Sequence, residues 1–207
     1  CPKCDARLAR VEGEANHFCP DEKACPPQVK GKIEHFIGRK AMNIDGLGQE
    51  TVDQLFKSNL ISDVSDLYNL KYDDLIQMDR MADKSVNNLL KSIEASKSVV
   101  FSKVLFGLGI RFVGETVAKK IVAEYGSIDS MMKASIEELI LVDEIGERIA
   151  NSLFNYLHNE ENKILLNKLK EHGLQMEQAK KVLSSEKLLN QMLTQRPQIE
   201  RRYYSIL

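Results

Sequence analysis

After residue 30, apolar side chains recur three or four positions apart in one segment after another, which is the spacing of amphipathic α-helices. No segment of this region shows the clean alternation of apolar and polar residues that is typical of a half-buried strand. Residues 135–138 read Ser-Ile-Glu-Glu, the spacing of a capping box, which starts a helix by pairing its first amides. The apolar spacing predicts helices over 29–36, 51–56, 85–93, 116–125, 149–157 and 164–169. We therefore predict a mainly α fold after the first 30 residues.

The four cysteines of the chain are clustered in its first 25 residues, with the spacing C-x2-C, fourteen residues, and then C-x5-C. Four thiolates suit the tetrahedral coordination of zinc, and a C-x2-C turn places two of them on one metal without strain. Two disulfides are the alternative, which applies in an oxidising compartment. A site closed by four thiolates leaves no position for a substrate, so we expect a structural zinc that folds residues 1–30 as a small ribbon. The predicted zinc ligands are Cys1, Cys4, Cys19 and Cys25.

The helical region contains an internal repeat. An offset of 64 residues aligns 66–90 with 130–154, and an offset of 66 aligns 44–55 with 110–121. The repeat predicts two double-hairpin units over about 31–100 and 101–178. A repeat of generic helical hairpins is the simpler alternative. The tight turns of the repeat fall near Gly48, Ala82, Gly114 and Gly146.

The chemistry of the first turn is more specific. Residues 44–48 read Ile-Asp-Gly-Leu-Gly, the pattern of a helix-hairpin-helix motif. Its first glycine permits a left-handed backbone, and its second lets a ligand approach the chain closely. The amides at the start of the following helix then form an anion site that can bind DNA phosphates without reading bases. Each glycine could instead be a simple helix C-cap.

The other three turns keep the pattern less completely. Residues 112–114 and 144–146 keep only the second glycine, and residues 80–82 keep neither, while basic side chains near the turns compensate in part. We expect turn residues and nearby cations to bind DNA together. The candidate DNA-binding residues are Gly46, Leu47, Gly48, Lys84, Arg111, Val113, Gly114, Thr116, Lys119, Gly146 and Arg148.

Net charge and composition further restrict the possible functions of the chain. The 29 basic and 30 acidic residues give a net charge of −1, which is not the profile of a strongly basic nucleic-acid binder. Main-chain amides and a few placed cations therefore have to supply the phosphate contacts. No apolar run is long enough to span a bilayer. Residues 179–207, with six basic and two acidic side chains, are predicted to be a linker or disordered tail. Because the chain begins at Cys1, we expect it to be a piece of a longer protein.

Several strings of the chain form a larger pattern: Cys1-Pro2-x-Cys4, Glu12-Gly13-Glu14-Ala15, Cys19, Cys25-Pro26-x-Gln28, Ala41–Gly48, Asp66-Leu67-Tyr68, Lys84-Ser85, Ser96-Lys97 and Leu108–Glu115. Together these motifs resemble the C-terminal part of bacterial NAD-dependent DNA ligases, over roughly residues 1–178. The departures from the family pattern are Pro27, Arg80, Ala82 and Glu144, and the BRCT pattern that usually follows is not found after residue 178.

The resemblance implies a parent enzyme that seals nicks in duplex DNA, using NAD to adenylate a lysine in a Lys-x-Asp-Gly motif. The nearest string here, residues 43–46, reads Asn-Ile-Asp-Gly and has no nucleophilic amine. We therefore expect this piece alone to be non-catalytic, with NAD bound by a separate domain. The implied partners are nicked duplex DNA and the adenylation and OB-fold domains of the same chain. A monomer in the bacterial cytoplasm, with no membrane contact, is also implied.

Two other functions fit parts of the pattern. A helix-hairpin-helix DNA glycosylase needs a base-flipping pocket and an Asp or Lys after one hairpin, and Asp129 and Lys133 have suitable spacing. A helical protein-interaction module needs no nucleic acid and predicts no salt-dependent affinity for DNA.

Overall fold

The computed structural model describes residues 1–10, 15–22 and 24–178. The predicted tail, 179–207, lies outside these residues. The described part is mainly α-helical, as predicted, with one small two-stranded sheet at its start. The strands are β1 (Ala9–Arg10) and β2 (His17–Phe18), and a single 3-10 turn covers Asp66–Asn69. The helices are α1 (Pro26–Ile37), α2 (Gln49–Lys57), α3 (Tyr72–Leu75), α4 (Asp83–Ser96), α5 (Phe101–Gly107), α6 (Glu115–Tyr125), α7 (Ile128–Lys133), α8 (Ile136–Ile140), α9 (Glu147–His158) and α10 (Glu160–Glu171).

The N-terminal sheet is an antiparallel pair in which Ala9 lies opposite Phe18. Helix α1 begins directly after Cys25, which is its N-cap residue, and two prolines occupy its first positions. Proline suits these positions because the first amides of a helix have no partner within it. Helix α1 runs without a break across residue 30, where the sequence places the end of the zinc finger, and that domain boundary remains a prediction.

All six helices predicted from apolar spacing lie within helices of the structure, namely α1, α2, α4, α6, α9 and α10. The capping box also forms at the start of α8. There the Ser135 amide donates to the Glu138 carboxylate at 2.9 Å, and the Glu138 amide donates to the Ser135 hydroxyl at 3.2 Å. Helices α3, α5 and α7 were not predicted by the spacing, because each has only four to seven residues.

The four helical hairpins are α1–α2, α3–α4, α5–α6 and α8–α9, and the helices of each hairpin pack against each other. The aligned repeat positions are equivalent in the core. Leu75 and Leu139 are fully buried, as are Leu89 and Leu153. Side-chain bonds repeat as well: the Asn87 amide donates to the Asp83 carbonyl at 2.9 Å, and the Asn151 amide donates to the Glu147 carbonyl at 2.8 Å.

Helices α1 and α5 bring the two double-hairpin units together. A Cβ atom on Gly107 would lie 3.2 Å from the Phe36 ring and 3.3 Å from the Ala41 side chain, so the helices approach closely at this glycine. Phe36 is fully buried, and burial of a phenylalanine contributes about 1.5–3 kcal/mol to folding. The core is therefore continuous between the two units.

The chain after α10 returns to the second unit. The Ile128 amide donates to the Met176 carbonyl at 3.0 Å, and the Gln178 amide donates to the Gly126 carbonyl at 2.7 Å. These bonds hold the end of the described chain beside the α6–α7 turn. None of the helices in the described ranges has the length and apolarity that a membrane crossing needs.

Candidate zinc centre and nucleic-acid interface

The four predicted zinc ligands converge at one point, and their sulfur atoms all lie within 4.8 Å of one another. The sulfurs of Cys4 and Cys19 are 3.4 Å apart, and those of Cys1 and Cys25 are 3.8 Å apart. All four are free thiols, and these distances are far longer than the roughly 2.0 Å of a disulfide. A tetrahedron with Zn–S bonds of about 2.3 Å has edges of about 3.8 Å. The cluster therefore fits a structural zinc with four thiolate ligands.

The thiols differ in how readily they lose a proton. The Ala6 backbone amide bonds to the Cys4 sulfur and lowers its pKa, whereas burial raises the pKa of Cys19 to about 11. A metal binds the thiolate, so zinc has to displace the proton of Cys19. Bound zinc would fix both ends of the finger, because Cys25 also begins α1.

The four hairpin turns share one backbone geometry. The residue at the first glycine position is left-handed in every turn, with φ of +89° at Gly46, +63° at Arg80, +66° at Phe112 and +62° at Glu144. This conformation costs a non-glycine residue roughly 1–2 kcal/mol. The turn geometry is therefore kept in three turns that lack the glycine that would adopt it freely.

Each turn leads into a helix whose N-terminus has no side-chain cap. The N-cap residues of α2, α4, α6 and α9 are extended, with φ between −96° and −80°, and none of these four residues caps its helix with a side-chain hydrogen bond. By contrast, Ser127, Ser135 and Asn159 cap α7, α8 and α10 with side-chain oxygens. The second helix of each hairpin thus has first amides that no N-cap side chain satisfies, at the positive end of the helix dipole.

In the first, third and fourth hairpins, the second glycine leaves that N-terminus accessible. A Cβ atom added at Gly48, Gly114 or Gly146 would meet no atom within 4 Å. The apolar residue between the two glycine positions points inward instead: Leu47 and Val113 are buried. Only main-chain atoms of these two candidates can therefore contact a ligand.

The polar side chains predicted to bind DNA are distributed unevenly around the turns. Lys84 is exposed in the first turn of α4, and Thr116 is exposed in the first turn of α6. Lys119 pairs with Glu115 of its own helix at 2.6 Å. Arg80, which the sequence pattern counts as a departure, pairs with Glu50 of the preceding hairpin at 3.2 Å.

The second unit has an equivalent ion pair with its charges exchanged: the acidic partner lies at the turn and the basic partner on the helix. Lys120 of α6 contacts Asp143 at 2.8 Å and Glu144 at 2.9 Å. Bonds to these two carboxylates raise the pKa of Lys120, and the bond from Lys120 lowers the pKa of Asp143. In both units, the left-handed residue of the second turn is therefore held by the second helix of the first hairpin.

The sequence did not reveal an aromatic cluster at the third turn. The guanidinium carbons of Arg111 and Arg148 lie 4.8 Å and 4.1 Å from the centre of the Phe112 ring. The Arg111 guanidinium also lies 6.0 Å from the ring of Phe18 on β2. The cluster thus joins two hairpins and the zinc finger at the surface. An aromatic residue at a hairpin glycine position was the one available signal.

The glycosylase alternative finds little support in its own candidate residues. The Asp129 carboxylate accepts a hydrogen bond from Lys170 of α10 at 2.6 Å, which makes it part of an exposed ion pair. Lys133 lies in the last turn of the short helix α7, which is not one of the hairpin helices.

Comparison with known proteins agrees with this geometry. Residues 1–26 match the family model of the NAD-dependent DNA ligase C4 zinc finger domain, and residues 103–166 match a helix-hairpin-helix motif model. The chain thus contains the C4 zinc finger domain of NAD-dependent DNA ligases.

Three bacterial relatives, each named DNA ligase, illustrate the match. The Bacteroides fragilis ligase is 55% identical over 195 residues, which cover 93% of this chain and 29% of the relative. The Flavobacterium johnsoniae ligase is 54% identical over 88% of this chain and 27% of its own length. The Bacillus pumilus ligase is 49% identical over 85% of this chain and 26% of its own length. This chain thus spans less than a third of the ligases it resembles.

Proposed function

We propose that this chain is the part of an NAD-dependent DNA ligase that grips the backbone of nicked duplex DNA. The observation that carries the proposal is the common geometry of the four hairpin turns, each followed by a helix N-terminus without a side-chain cap. An uncapped helix N-terminus binds anions through its amides and its dipole. Four such termini on a chain with almost no net charge are well suited to a polymer of phosphates.

Each hairpin contributes differently to this grip. In hairpins one, three and four, Gly48, Gly114 and Gly146 let a phosphate reach the amides without steric hindrance. In the second hairpin, Ala82 places a methyl group at this position, so Lys84 contributes its charge beside a less accessible turn. Arg111, Thr116, Lys119 and Arg148 add side-chain donors around hairpins three and four. Contacts to phosphate and sugar carry no sequence information, so binding is independent of base sequence.

Zinc and NAD have separate places in this proposal. Zinc, held by the four cysteines, folds the finger and fixes Phe18 and α1 against the helical hairpins. NAD and the lysine that it adenylates belong to another part of the parent ligase, as do the OB-fold and the sealing reaction itself. This chain helps the parent ligase to close around the nick. The parent ligase acts as a monomer in the bacterial cytoplasm, in DNA replication and repair.

The proposal is tested by the salt dependence of DNA binding. Fluorescence anisotropy is measured for this chain with a labelled nicked duplex between about 20 and 200 mM salt. We expect log affinity to fall linearly with log salt, by about 0.9 for each phosphate contact, and to be equal for two duplexes of unrelated sequence. A helical protein-interaction module would show no salt-dependent affinity, and a base-reading protein would distinguish the two duplexes.

A further inference from the structure

Phe112 occupies a position at which its side chain is costly. Its backbone is left-handed, with φ of +66°, and the equivalent residue of the first turn is a glycine. A bulky residue is rarely found in this conformation. The ring adds little to the core, because the residue is 38% exposed. Strain that does not serve packing points to a functional role for the ring.

The Phe112 ring contacts two cationic side chains from different hairpins. Arg111 belongs to the third turn, and Arg148 belongs to the first turn of α9 in the fourth hairpin. Both guanidinium carbons lie within 5 Å of the same ring centre, so they are no more than about 9 Å from each other. That spacing lets both cations contact one phosphate or two neighbouring phosphates of a single strand.

The geometry points to Phe112 as a positioning residue that holds Arg111 and Arg148 together as a phosphate clamp. This inference rests on the proposed function, and it names how hairpins three and four act on the same stretch of backbone. Phe18 extends the clamp to the zinc finger through its contact with Arg111.

Cation–π stacking and phosphate binding are compatible in one arginine. The guanidinium group stacks through its flat face, whereas its N–H donors lie in the plane of the group. Stacking on the ring also restricts a long side chain that otherwise has many rotamers. Less conformational entropy is then lost when the phosphate binds.

The test compares three substitutions at this position in the same anisotropy assay. Phe112→Gly removes the ring and relieves the backbone strain, because the first turn already has glycine there. Phe112→Leu keeps the strain and much of the bulk but has no π face. Phe112→Tyr keeps the π face. Leu141→Ala is the matched control, since Leu141 is an exposed apolar residue in the loop between α8 and α9.

We expect Phe112→Gly and Phe112→Leu to lose about eightfold in affinity at 0.1 M salt, which corresponds to one phosphate contact. Their salt slopes should fall by about one unit, and both variants should remain folded. The DNA affinities of Phe112→Tyr and Leu141→Ala should stay within about threefold of that of the unsubstituted chain. In an Arg148→Ala background, Phe112→Gly should cost less than it does alone.

The clamp is disproved if Phe112→Gly binds DNA as tightly as the unsubstituted chain does, or if Phe112→Leu keeps as much affinity as Phe112→Tyr. The proposed function is not affected by that outcome, as long as the unsubstituted chain shows salt-dependent binding of DNA. If the unsubstituted chain shows no salt-dependent affinity for nicked duplex DNA, the proposed function is wrong, and the clamp is wrong with it.

Discussion

Ser152 donates its hydroxyl to the main-chain carbonyl of Arg111 at a distance of 2.7 Å. This bond ties the turn of the third hairpin to the second helix of the fourth. The first unit has a counterpart in which the Asp45 amide donates to the Ser92 hydroxyl of α4, also at 2.7 Å. In each unit, a serine on the last hairpin helix therefore bonds to the first turn, which links the two turns of the unit.

Loss of the Ser152 hydroxyl should loosen the second unit. We expect Ser152→Ala to lower the free energy of unfolding by about 1 kcal/mol in urea denaturation, because the Arg111 carbonyl loses its partner. Ser98→Ala is the control, since the Ser98 hydroxyl bonds only to the carbonyl three residues earlier in an exposed turn. Equal effects of the two substitutions would show that the bond between hairpins adds nothing.

The four clustered cysteines predict the zinc content of the chain. We expect close to one zinc per chain by metal analysis. A chelator should unfold the N-terminal ribbon and leave most of the helical circular dichroism intact, because the hairpins have their own core. Cys19→Ser should greatly weaken zinc binding. A preparation with no zinc, and with no free thiols after denaturation without reductant, would instead indicate disulfides.

The chain should not react with NAD. The string at 43–46 has Asn43 where the ligase motif has lysine, and the structure places these residues in the first hairpin turn. After incubation with NAD and a divalent cation, mass spectrometry should show no added AMP, and no nick should be sealed. A mass increase of one AMP would reveal an adenylation site among these residues.

Gly31 provides a test of stability away from the turns. It lies within α1, and a Cβ atom there would meet no neighbour within 4 Å. Gly31→Ala should therefore raise the free energy of unfolding by about 0.5–1 kcal/mol, since alanine loses less backbone entropy in a helix. DNA affinity should not change. A destabilised variant would mean that α1 needs the glycine for a contact that the fold does not show.

The sequence predicted those elements whose pattern is local. Amphipathic spacing identified α2, α4, α6 and α9 because each has one buried and one exposed face. Helix α5 was not predicted because Phe101, Val104, Leu105 and Gly107 are all buried in a segment of only seven residues. A short apolar run of this kind cannot be assigned to helix or strand from its spacing alone.

The candidate site could be predicted only in part, for two physical reasons. Glycine indicates a left-handed turn directly, but Arg80 and Glu144 are also left-handed, and each forms an ion pair with the preceding hairpin. The clustering of Phe18 and Arg148 around the third turn depends on tertiary packing between distant segments. No local spacing encodes that contact.

The proposed function depends on phosphates reaching the main-chain amides at the hairpin turns. The most direct measurement is the affinity of Gly114→Val for nicked duplex at low salt, with Gly31→Ala as the control and Arg148→Ala as a comparison. Gly114 has φ of −80°, which valine tolerates, and open space around it, so the variant should fold.

We expect Gly114→Val to bind at least about tenfold more weakly, because its side chain occupies the space that a phosphate needs. Arg148→Ala should lower the slope of log affinity against log salt by about one unit, equally on duplexes of different sequence. If both variants fold and bind nicked DNA with the parent's affinity and slope, the hairpin repeat is scaffold and the phosphate-grip account is contradicted.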